Sequence, residues 1–178
     1  LVSAQLVANQ SIQIHGENQW ETTIDCTGFA GTLFDLNGYS TISDLTLDGG
    51  AAATGATGIG SSSNFYQCRV ERVSFYRIGT CMSVINAWET SLRDVVAASV
   101  GNGFKLTFFH GGTIDNLVVN NYTGWGVWIN RGKSFHGSNI VLERAGGYGL
   151  CLERCFASEV NGLYFEGTRD AGCPDIYM

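Results

Sequence analysis

Glu143 and Glu166 stand 23 residues apart, and Asn120 precedes Glu143 by the same interval. If each interval is one turn of a coil, the two carboxylates stack about 5 Å apart at the backbone. Carboxyls that close tend to hold one proton between them. Such a pair is what glycosidic hydrolysis uses, and its separation decides retention or inversion. Arg144 and Arg169 follow in the chain, so the glutamates either act together as a catalytic pair or splay into solvent and pair with those arginines. The same interval relates Asn130 to Glu153 and Arg131 to Arg154. Two stacked guanidinium forks suit carboxylate-bearing sugars such as uronic or sialic acids. A plainer reading is a Glu153–Arg131 surface pair, worth little energetically. Trp125 falls over Tyr148, with Tyr122 and Trp128 nearby. Exposed ring faces there would bind the C–H face of a pyranose, unless they pack around the turn glycines beside them.

The interval belongs to the chain as a whole. Segments beginning at Gly101, Gly124 and Gly147 align without a gap, and the segment from Gly79 fits with one residue fewer. A repeat this short, without helical periodicity, specifies a solenoid. Gly103, Gly126, Gly149 and Gly172 form a second glycine column, implying positive φ or close backbone approach. After it come alternating apolar pairs such as Phe104 and Leu106, or Val127 and Ile129. A second strand carries the inward column Leu45, Val73, Val95, Leu117, Ile140 and Leu163. The expected fold is all-β: a right-handed, single-stranded parallel β-helix of about 22–23 residues per coil and roughly seven to eight coils. The chain reads as a single β-helix domain over residues 1–178, with a Gly/Ala/Thr-rich loop protruding at 49–58. Ile176 and Met178 read as the start of another strand, and both ends look cut from a longer polypeptide.

One outward column differs in kind. Val96, Val118, Val141 and Tyr164 stack four apolar residues on the outer face of the second strand. Such a stripe marks an interface, and cyclic symmetry would bury it between copies of the chain, most simply as a homotrimer. A loop folded over the column would serve equally. The net charge of −6, with no basic run, excludes nucleic acid as the main partner. No apolar run reaches the length of a membrane span. The six cysteines share no column and form no zinc spacing, so they read as small hydrophobes; neither a metal nor a cofactor is expected.

The stretches SIQIHGENQWETTIDCTG and GTLFDLNGYSTISDLTLDGG, with the recurring ISDLTL, VERVSF, LRDVVA, IDNLVV and VNGLYF, resemble right-handed parallel β-helix proteins. That group includes pectate lyases, polygalacturonases and the tailspikes and tail fibres of bacteriophages. The aspartate cluster of pectate lyases is missing here. So are the paired aspartates and Gly-His-Gly of polygalacturonases, since His110 stands in HGG and His136 in FHGS. The resemblance therefore implies a bacteriophage tailspike or tail fibre in the virion, assembled in the host cytoplasm beside other tail proteins. It would bind, and as an enzyme depolymerise, host capsule or O-antigen polysaccharide. The alternatives are a secreted monomeric polysaccharide lyase or hydrolase, and a structural shaft or adhesin without catalysis.

Overall fold

The computed structural model describes residues 4–8, 11–51, 55–167 and 175–178. The chain forms two parallel sheets that it visits alternately from β3 onward. The first contains β1 (Leu6–Ala8), β4 (Gly31–Leu36), β6 (Ala56–Gly60), β8 (Thr80–Val84), β10 (Asn102–Thr107), β12 (Trp125–Asn130), β14 (Tyr148–Glu153) and β16 (Ile176–Tyr177). The second contains β2 (Gln13–His15), β3 (Thr23–Asp25), β5 (Thr41–Asp48), β7 (Arg69–Tyr76), β9 (Ser91–Val100), β11 (Thr113–Tyr122), β13 (His136–Ala145) and β15 (Glu159–Glu166). This is a parallel β-helix. Leu45, Val73, Val95, Leu117 and Ile140 lie in the core in the expected register, with Leu163 half-buried at the last coil. Alternation is the cause: each inward residue faces the opposite sheet, and its neighbours face solvent.

Six coils run from β4–β5 to β14–β15, preceded among the described residues only by the three-residue strands β1, β2 and β3 of an incomplete start, slightly fewer than the seven to eight expected. Residues 16–22 explain part of the difference. β2 and β3 both pair with β5, so the segment between them leaves the coil and lies as a strap over the second sheet. Gln19 Nε2 donates to Ser74 Oγ at 3.0 Å, and Thr46 Oγ1 donates to the Gln19 carbonyl at 2.5 Å. At the 49–58 insertion, β6 already begins at Ala56, and residues 52–54 lie outside the described residues.

Backbone conformation divides the labour at the corners in a way the glycine columns do not announce. Gly101, Gly103 and Gly147 are not in the left-handed region. A Cβ on any of them would run into the carbonyl oxygen of the glycine stacked beside it (Gly79, Gly126 and Gly124, respectively). The positive-φ corners are instead built mainly from non-glycine residues. Asp44, Arg72, Asp94, Asn116 and Asn139 form one such column, closed by Gly162. The strain is offset by ladders between coils: Asn116 Nδ2 donates to Asp94 Oδ1 at 2.8 Å, and Asn139 Nδ2 to Asn116 Oδ1 at 3.1 Å. The five cysteines among the described residues are free, four of them buried. Burial pushes the Cys26 and Cys68 thiols up to about 11, so they act as apolar filler.

Candidate functional site

Between the two sheets four successive coils turn twice through positive φ, leaving a two-residue side, and the coil before them turns once, at Gln67. Phe108 and Gly111 bracket Phe109–His110; Arg131 and Ser134 bracket Gly132–Lys133; Arg154 and Ala157 bracket Cys155–Phe156; Asn86 and Glu89 bracket Ala87–Trp88. The first residue of each pair points inward, and Ala87 and Phe109 are fully buried. The second must therefore point out. Outward residues Tyr66, Trp88, His110, Lys133 and Phe156 occupy one position in five successive coils. Backbone bonds from Gln67 to Trp88, Glu89 to His110 and Gly111 to Lys133, and a bridge from Lys133 to Phe156, hold them in line.

This edge is aromatic and cationic. Trp88 is 51% exposed and Phe156 59%. The Trp88 and His110 rings are parallel within 3°, centroids 5.9 Å apart. His110 Nε2 lies 3.1 Å from the Arg131 carbonyl, which can only accept, so Nε2 carries the proton. The Arg131 guanidinium sits 4.9 Å over Phe108, and Lys133 Nζ 5.6 Å over Phe156. Clefts open between the rungs: one of about 330 Å³ against Asn64, Tyr66, Asn86 and Trp88, another of about 320 Å³ against Trp88, His110 and Lys133. A larger one of about 570 Å³ lies at a different corner, around Gly79, Gly101 and Arg77. It has no aromatic wall, and its arginine is committed to Asp48.

The residues expected from sequence fall in three places. Arg131 and Arg154 lie on this edge, at positive-φ corners. Glu153 does not pair with Arg131; it accepts from Asn130 Nδ2. Trp125 and Tyr148 are register neighbours on the first sheet, as expected. They do not form an open platform with Trp128. Trp125 meets Trp128 edge-on at 5.1 Å, Lys105 Nζ covers the Trp128 ring at 4.5 Å, and both indole N–H groups are buried without a partner among the described residues. Tyr148 is more open and packs edge-on against Tyr177.

Glu143 and Glu166 stand opposite each other on β13 and β15. Each has its own neutral donor, Asn120 Nδ2 at 2.6 Å and the Tyr164 hydroxyl at 3.0 Å. Its hydrogen bond to Glu166 holds that phenol above its ordinary range. Val96, Val118, Val141 and Tyr164 stack as expected. The strap covers Thr46 and Ser74 of the same column, both buried; beyond it the three valines are half-buried and Tyr164 is 52% exposed. Among the described residues no cluster of His, Cys, Asp or Glu could hold a metal ion, and no helix is long and apolar enough to cross a membrane.

Sequence reading did not single out Tyr66, Trp88, His110, Lys133 and Phe156 as a column. They keep the 22–23 residue spacing. Their types differ, so nothing in composition groups them until the corners are placed.

No protein-family model matches this chain, and no curated protein matches it. Among solved structures it is similar to Pantoea stewartii WceF, described as a glycan biofilm modifying enzyme with a bacteriophage tailspike-like parallel β-helix fold. The TM-score is 0.55 at 14% sequence identity, over 92% of this chain and 31% of the other. This chain thus spans about a third of the structure it matches, and the likeness is one of fold.

Proposed function

We propose that this chain is a tailspike- or tail-fibre-type β-helix that binds host surface polysaccharide along the Tyr66–Phe156 edge. One observation carries the reading: an outward row continuing through five coils, a ring at four of them and Lys133 at the other, with clefts between its rungs. Coils rise about 4.8 Å, comparable with one pyranose of an extended polysaccharide. Ring faces offer apolar area to sugar C–H groups, and neighbouring amides and cations serve the hydroxyl and acidic substituents. The glycan-related description of WceF supports the same reading. Assembly is through the Val96–Val118–Val141–Tyr164 stripe, in a homotrimer. The test is binding of the chain to an array of bacterial capsule and O-antigen polysaccharides, with Trp88→Ala and Phe156→Ala as edge variants. Retention lost in both variants supports the edge; retention unchanged in both sinks it.

The Glu143–Glu166 register favours a second reading, in which the bound polysaccharide is also cleaved. It expects release of reducing ends, abolished in Glu143→Gln or Glu166→Gln. Release undiminished in both removes the pair from the chemistry. A monomer by light scattering would favour the secreted hydrolase or lyase over the tail protein.

A further inference from the structure

The edge changes character along its length. Around the 330 Å³ cleft it is uncharged: Asn64, Tyr66, Asn86 and Trp88 form the wall. Asn86 Nδ2 donates to Asn64 Oδ1 at 2.8 Å, which leaves the Asn64 nitrogen and the Asn86 oxygen to meet the hydroxyls of a sugar. From His110 onward the edge is cationic. Among the described residues no carboxylate lies within ion-pair range of Arg131, Lys133 or Arg154. Elsewhere on the β-helix Arg72 pairs with Asp44, Arg77 with Asp48 and Arg93 with Asp94, whereas Arg69 and Arg144 have no ion pair among the described residues. Arg131 and Lys133 are seated on rings instead, which orients a cation without cancelling its charge. The acid at this cleft, Glu89, accepts a hydrogen bond from Gln67 Nε2 at 2.6 Å. Trp88 is the wall common to the neutral and the cationic cleft.

We infer that the edge reads the order of charge in its ligand: it takes an acidic heteropolysaccharide in which a carboxylate-bearing sugar lies beside an uncharged one. The neutral sugar sits at Asn64, Tyr66 and Asn86, the acidic sugar at Lys133 and Arg131, and Trp88 lies between them. A polymer acidic at every residue would place a carboxylate in the amide cleft, where it loses water and meets no cation. A wholly neutral polymer leaves the cations with nothing to pair. The inference rests on the edge being the glycan site.

The whole chain is tested against three immobilised probes at about 0.15 M salt, where weak long-range attraction is screened. Xanthan mixes neutral and uronic sugars, polygalacturonate is acidic throughout, and hydroxyethyl cellulose is neutral. Xanthan is expected to bind tightest. Arg131→Ala with Lys133→Ala should weaken xanthan about tenfold. Asn64→Ala with Asn86→Ala should weaken xanthan but not residual polygalacturonate. Both pairs are surface substitutions, and an unchanged far-ultraviolet circular dichroism spectrum confirms folding. Polygalacturonate or the neutral polymer bound as tightly as xanthan overturns the charge order, as does xanthan binding indifferent to the cation pair. If glycans bind without this preference and Trp88→Ala abolishes binding, the glycan edge stands and only the charge order falls. If no probe binds, and no glycan on a wider array binds, both fall.

Discussion

Trp88→Ala is the sharpest perturbation of the edge. An aromatic side chain has about 150–250 Å² to bury. Trp88 keeps 51% of its surface open, so about 100 Å² is available. A sugar resting on one face covers roughly half of that, near 50 Å², which at ~25 cal/mol per Å² is about 1.3 kcal/mol. That corresponds to a Kd raised close to tenfold. The ring is outward, so unfolding should be little changed, within about 0.5 kcal/mol. Isothermal titration calorimetry with oligosaccharide from the best-retained polysaccharide measures the first quantity, and urea unfolding the second. Trp20→Ala is the control, because that ring is 61% exposed but sits on the strap over the second sheet. Equal loss in the two variants would mean diffuse stickiness. Unchanged affinity in Trp88→Ala, with a native unfolding curve, would refute the stacking argument.

Three further outcomes test the scaffold. Leu117→Ala removes a fully buried side chain between Val95 and Ile140 and should cost about 2–5 kcal/mol in urea unfolding; a loss under 1 kcal/mol would mean that the column is not packed. Gly103→Ala drives a Cβ into the Gly126 carbonyl and should cost about 1–3 kcal/mol, whereas a neutral result would contradict the close coil approach. Hydrogen bonds from Arg72 and Arg77 hold the Asp44 and Asp48 carboxyls below their ordinary value, so the unfolded chain takes up protons first as pH falls. Their contribution is complete above about pH 5 and is lost progressively as pH falls from there through the folded-state values, which lie below the ordinary aspartate pKa of about 3.9. The Tm should fall over that window, less steeply in Asp44→Asn with Asp48→Asn, and a wild-type Tm flat down to pH 3 would show that the pairs contribute nothing.

The coil was legible because burial imposes a rule at every second residue. Leu117 and Val119, or Phe104 and Leu106, must face inward, and the sequence shows it in each repeat. The corners were not. Asn116, Arg131 and Ser134 all adopt positive φ, yet the glycines that advertise that conformation are used at Gly103 and Gly147 to admit a neighbouring backbone. The strap was hidden for a related reason. Gln19 and Trp20 look like an irregular first coil until β2 and β3 are both seen to pair with β5. With the corners unplaced, the two-residue sides carrying Trp88, His110 and Phe156 had no assignable direction. The shared corner position of Arg131 and Arg154 was legible because two like residues share a column. Spacing places Trp125 and Trp128 near each other but does not show that Lys105 covers one of the rings.

The most direct measurement is a crystal structure of the chain with an oligosaccharide cut from its best-retained polysaccharide. The saccharide should run along the edge from Tyr66 past Trp88 and His110 to Lys133 and Phe156, with sugar rings against Trp88. A saccharide bound instead across Glu143 and Glu166, or on Tyr148, with the Trp88 edge empty, would contradict the assignment.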